Sequence, residues 1–155
     1  MKANRSKLIE LVARFDFGRE IPQNRGPFVR LCLAINGDNK EGSAWCAAFV
    51  SLVLYVHTRG TPPFRLSDGT KELLAAVVAA GRERAVPVAP GLCFVMKNGK
   101  SEHVTFIADV GDDTFATVGG NEGNPALPAS NNGYGVFWRE RTPGPQFRYF
   151  SLEDL

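Results

Sequence analysis

Cysteine and histidine are scarce in this chain: Cys32, Cys46 and Cys93, with His57 and His103. A thiolate nucleophile needs a base in hydrogen-bond reach and, commonly, a third group to hold that base. Cys46 opens an apolar run, Ala44 to Val56, in which Ser51 is the one polar residue. Ser43 just before it suits an N-cap, which puts Cys46 in the first helical turn. Free N–H groups and the helix dipole there favour a thiolate. A small buried core residue is the other reading of Cys46. His57 lies roughly 16 Å further along the same helix, at 1.5 Å per residue, so it cannot serve Cys46. It suits the negative end of the helix dipole instead. His103 begins an alternating segment just after Asn98-Gly99, which places it at the end of a sheet. Asn121, one strand later, offers a carbonyl to the imidazole N–H, and Glu122 offers a carboxylate. A plain Gly/Asn turn is the alternative for that segment. Cys32 and Cys93 fall on apolar faces and are read as core.

The elements that must position these residues divide the chain in two. Leu8, Leu11, Val12 and Phe15 recur at helical spacing and predict a helix over 6–16. Pro27 suits the start of a second helix, with Phe28, Leu31, Cys32 and Ile35 on its inner face and Asn36-Gly37-Asp38 as its stop. The Cys46 helix ends near Thr58-Arg59-Gly60, before Pro62-Pro63. Ser67 or Asp68 can cap a fourth, with Leu73, Leu74, Val77 and Val78 inward and Gly81 closing it. From Val86 onward the segments are short and rich in Val, Phe and Thr. Strands are predicted over 92–96, 103–110, 114–118, 135–141 and 147–151, with a turn at Asn98-Gly99 and a long loop over 119–133. Along the second strand His103, Thr105, Ile107 and Asp109 share one face, and Val104, Phe106, Ala108 and Val110 the other. Helices first and an antiparallel sheet second make an α+β domain, with the sheet packed on the Cys46 helix.

Length and composition agree with one domain over 1–155. The chain has 155 residues, 44% apolar and 22% charged, ordinary values for a globular protein with a sizeable core. A net charge of +2 gives no reason to expect nucleic acid. The 13-residue apolar run is too short to span a bilayer. An odd cysteine count without a Cys-x-x-Cys pair argues against a disulfide framework or a zinc knuckle; no cofactor and no metal is expected. The basic start, Met1 to Lys7, is followed by Glu10 and Arg14, which interrupt any signal-peptide core. Synthesis in the cytoplasm is expected, and action elsewhere would need release or secretion.

Four stretches resemble the CHAP domain (cysteine, histidine-dependent amidohydrolase/peptidase) of the NlpC/P60, papain-like group. They are Asn24-Arg25-Gly26-Pro27, then Ala44-Trp45-Cys46-Ala47-Ala48-Phe49-Val50, then Pro90-Gly91 with His103-Val104, and last Gly119-Gly120-Asn121 with Gly133-Tyr134-Gly135-Val136. The resemblance implies a papain-like fold with Cys46 as nucleophile, His103 as base and Asn121 as orienter, Glu122 being the reserve. It implies hydrolysis of an amide bond in a peptidoglycan stem peptide, at the cell wall or periplasm. A phage lysin and a secreted antibacterial effector both fit, and an effector would require an immunity protein as partner. Trp45 and Trp138 are candidates for the groove wall, Asn24 for an oxyanion donor and Arg25 for a substrate carboxylate. The chain departs from the family at Leu92, where many relatives have an acid, and at Gly119, where many have Glu. Two other readings stay open: a non-catalytic CHAP-like module that binds wall fragments or a protein, and a papain-like protease or deamidase acting on proteins.

Overall fold

The computed structural model describes residues 6–21, 24–37, 44–123 and 135–155. Four helices precede a six-stranded sheet: α1 Lys7–Ala13, α2 Pro27–Ala34, α3 Cys46–His57, α4 Thr70–Ala79, then β1 Glu83–Arg84, β2 Gly91–Lys97, β3 Lys100–Val110, β4 Phe115–Glu122, β5 Gly135–Arg141 and β6 Phe147–Ser151. The sheet is antiparallel in the order β1-β6-β2-β3-β4-β5. The α+β layout expected from the sequence is therefore present.

Apolar spacing accounts for the helices. Nine consecutive residues of α3, Cys46 to Leu54, are buried, because α1, α2 and α4 surround it while β3 and β4 cover its remaining side. Leu92, Phe94, Val104, Phe106, Val118, Val136 and Phe150 of the sheet join this core. The sheet's alternate residues Cys93, Ile107, Phe115 and Tyr149 form a second, smaller cluster, as the period of two requires. Gly120 lets β4 approach α3. A Cβ there would lie 2.6 Å from Trp45 Cζ3 and 2.7 Å from Phe49 Cβ.

The differences from expectation have local causes. Helix α1 is shorter than predicted, capped by Ser6, whose hydroxyl accepts from the Ile9 N–H at 3.3 Å. Pro27 does open α2, but Val29, Cys32 and Leu33 face the core while Leu31 is exposed. Gly69 takes the cap position of α4, and Ser67 Oγ accepts the Gly69 N–H at 3.1 Å instead of capping the helix itself. Val78 is exposed, for Leu73, Leu74 and Val77 fill the inward stripe. Asn98 and Gly99 both have positive φ, 51° and 74°, as a tight two-residue hairpin turn demands. That tight turn extends β3 back to Lys100, so His103 is its fourth residue and not its first. Strand β4 continues through Gly119-Gly120-Asn121-Glu122, where a loop was expected. Among the described residues no helix is long and apolar enough to cross a membrane.

Candidate active site

Cys46 is the first residue of α3. Trp45, not Ser43, takes the cap position; Ser43 lies outside the described residues. The Cys46 thiol is almost wholly buried. It receives backbone N–H groups from Ala47, in the same first turn, and from Val104 on β3, and it bonds to His103. Burial alone would raise its pKa. The His103 hydrogen bond and charge, with the two N–H groups, outweigh burial and leave it below the ordinary 9.0. By contrast, burial pushes Cys32 and Cys93 up to about 12. Of the three free thiols, Cys46 alone is held ready to ionise.

His103 reaches Cys46 because β3 crosses the head of α3. The pairing of β2 with β3 shifts between Val95 and Met96, so that Val95 faces His103 and Met96 faces Ser101. Glu102 is the extra residue of this bulge, a device that re-aims neighbouring side chains. His103 Nε2 lies 2.8 Å from Glu122 Oε1, which leaves Nδ1 for the thiol. Burial disfavours the imidazolium, but the bonds and charges of Cys46 and Glu122 outweigh it and lift the His103 pKa to about 10. The two shifts run in the directions that favour a thiolate–imidazolium pair.

The side chain that meets the far side of the His103 ring is Glu122. The resemblance assigned that place to Asn121, and the backbone explains the exchange. Pairing of β4 with β5 shifts register between Gly119 and Glu122, and Asn121 has φ of 56°. Asparagine tolerates this left-handed conformation better than most residues. Asn121 thus bends the strand, and the carboxylate of the next residue meets the imidazole. Glu122 is 5% exposed. Burial would raise its pKa, but His103, Arg141 and Arg139 hold it below the usual carboxylate value. Arg141 Nη2 donates to Oε1 at 3.0 Å, and Arg139 Nε lies 3.0 Å from Oε2.

The remaining candidates separate from this centre. Trp45 is fully buried, stacked edge-on with Phe28 and Phe49, and its Nε1 donates to Glu20 Oε2 at 2.7 Å. It is a core residue that fixes the cap of α3 and not a groove wall. Trp138 is partly buried and packs on the main core. Asn24 is half-buried with φ of 54° in the turn closed by Ile21 and Arg25. Arg25 is exposed on that turn. His57 ends α3, away from the thiol. Gly133 and Tyr134 lie outside the described residues.

A cavity of about 310 Å³ opens at Cys46, lined also by Leu33, Ala44, Asp68, Gly69, Thr70 and Glu102. It sets the Cys46 thiol at a space of ligand size. Sequence reasoning missed Arg139 and Arg141. Their spacing on β5, two residues apart, places both on one face of that strand, which was a usable signal once Glu122 was suspected. Comparison with protein families, with curated proteins and with solved structures finds no match for this chain.

Proposed function

We propose that the protein is a cysteine-dependent amidohydrolase that cleaves an amide bond of a peptidoglycan stem peptide. One observation carries the chemistry: His103 bonds both the Cys46 thiol at a helix head and the buried Glu122 carboxylate. The substrate class follows from the resemblance of residues 20–141 to CHAP domains. In this reading the Cys46 thiolate attacks the carbonyl carbon. The Cys46 N–H, at the helix start, has no earlier carbonyl in its own helix and can donate to the oxyanion. His103 then gives its proton to the departing amine nitrogen, leaving a thioester on Cys46. Water attacks that thioester while His103 takes the water's proton. The acid product leaves and the thiolate–imidazolium pair is restored. Glu122 holds the ring throughout.

The test is mass spectrometry of purified sacculi after incubation with the protein and with Cys46→Ala. New fragments from the unsubstituted protein alone are expected, and they identify the bond. Intact sacculi from several wall types, with a folded protein, would overturn the wall reading. Cleavage of unfolded proteins by the same preparation would then point to a papain-like protease.

A further inference from the structure

Glu122 serves three cations with one carboxylate. Its Oε1 is shared by His103 Nε2 at 2.8 Å and Arg141 Nη2 at 3.0 Å, while Oε2 lies 3.0 Å from Arg139 Nε. Both arginines are anchored elsewhere too. Arg141 Nε donates to Thr117 Oγ1 at 3.0 Å, and Arg139 Nη2 donates to the Gly123 carbonyl at 2.9 Å. Neutralising one buried acid needs one cation. Here two fixed cations attend it before the imidazole is counted, so the acid and its arginines carry a net positive charge. Burial strengthens that field at the neighbouring ring and thiol.

We infer that Arg139 and Arg141 are positioning residues: by dividing the Glu122 carboxylate they keep it aimed at His103 while limiting its hold on the imidazole proton. This rests on the thiolate–imidazolium reading above. An undivided, ionised carboxylate would orient the ring equally well but would bind its proton more tightly, making a poorer acid for the departing amine. The two positive charges work on the thiol as well, favouring its ionised form. Asp68 and Glu102 line the cavity on the thiol's side and are the same in every variant, and the other titratable groups facing this cluster, among the described residues, do not compete. Cys46 on α3 is the proton's partner. Cys93 on β2 is a neutral thiol, pushed up to about 12 by burial. Tyr149 on β6, beside Cys93, is raised by burial and neutral.

Removing one arginine therefore has a signature. The thiol loses a favourable positive charge and ionises at higher pH. The imidazolium gains a stronger carboxylate and gives up its proton at higher pH. The experiment is the rate of Cys46 alkylation by iodoacetamide against pH, read by mass spectrometry on the intact protein. The variants are Arg141→Gln, Arg139→Gln and Arg141→Lys. Two limbs are expected in the unsubstituted protein: formation of the thiolate, and loss of the imidazolium proton. Both should move up by roughly half a unit to one unit in each glutamine variant, and Arg141→Lys should bring them back. A merely structural role would lower the folded fraction without moving either limb. Should Arg141→Gln fail to fold, the more exposed Arg139 gives the same reading. Limbs that stay fixed or move down overturn the inference while the ion pair stands. A single limb at the free-thiol value in the unsubstituted protein overturns the ion pair and this inference together.

Discussion

At the residue scale, the pKa values of Cys46 and His103 have a consequence for stability that each alone would not have. The His103 value is raised from 6.5 to about 10. Its contribution is fully present below pH 6.5 and is lost as pH rises toward 10. The Cys46 value is lowered from 9.0, so its contribution is fully present above pH 9.0 and is lost as pH falls. Over the part of the range between 6.5 and 9.0 in which folded Cys46 is already ionised, the two slopes are equal and opposite, since the folded pair and the unfolded chain each hold one proton. Thermal midpoints should therefore be level across that window. Above pH 9.0 they should fall, and Cys32 and Cys93, raised to about 12 by burial, add to the fall. Replacing Cys46 by Ala removes its own slope and also the support that the thiol gives the imidazolium, so only the part of the His103 slope that Glu122 sustains should remain, as a shallower decline of the midpoint from about pH 6.5 upward. Calorimetric scans of both proteins at several pH values check this. A level Cys46→Ala profile would mean that His103 is not held protonated by Glu122. Cys46 and His103 were both legible in the sequence, from an N-capped apolar run and a strand after a turn. Glu122 was legible as a reserve only. Its claim depends on the left-handed backbone at Asn121, and a residue's type does not reveal its φ.

At the element scale, the site exists because β4 can lie against the first turns of α3. Gly120 is the point of closest approach, 2.6 Å from Trp45 Cζ3 and 2.7 Å from Phe49 Cβ for an added methyl. Both neighbours are fully buried and gripped by other rings, so neither can step aside cheaply. Gly120→Ala should destabilise the fold by about 1–3 kcal/mol, the usual cost of overpacking a core. Urea unfolding measures it. On the proposed mechanism turnover should drop further than stability does, since β4 also carries Glu122 and a small displacement of the group that holds the His103 ring is expensive. A variant as stable as the parent would show that the helix and strand can separate without strain. The four helices and five of the six strands were legible from periodicity, and the Asn98-Gly99 turn from its dipeptide; β1 and the order of the strands in the sheet were not. Helix caps were read one or two residues early, because Ser43, Ser67 and Asp68 are good cap residues that also make turns. Leu31 and Val78 were placed inward because a stripe of apolar residues is wider than the face that a small domain can cover.

At the scale of the whole molecule, one helix runs through the core and the sheet wraps one side of it. The three thiols report on that arrangement. Cys32 sits between α2 and the core, and Cys93 belongs to the smaller cluster on the sheet; both are completely buried. Cys46 is nearly as buried by area, yet it lines a cavity of about 310 Å³ and is held toward its ionised form. Reagents follow thiolate character and access together. An aromatic disulfide reagent at neutral pH should therefore titrate one thiol rapidly in the native protein, and that reaction should vanish in Cys46→Ala. Guanidinium should then release the other two in one step, since α2 and the sheet pack on the same α3 and the sheet's second cluster, four buried residues, is too small to hold the sheet folded alone. The midpoint of that release should coincide with loss of helical circular dichroism. Release of Cys93 before Cys32 would reveal a sheet that opens independently of the helices, and would break the link drawn here between the integrity of the whole core and the readiness of a single thiol.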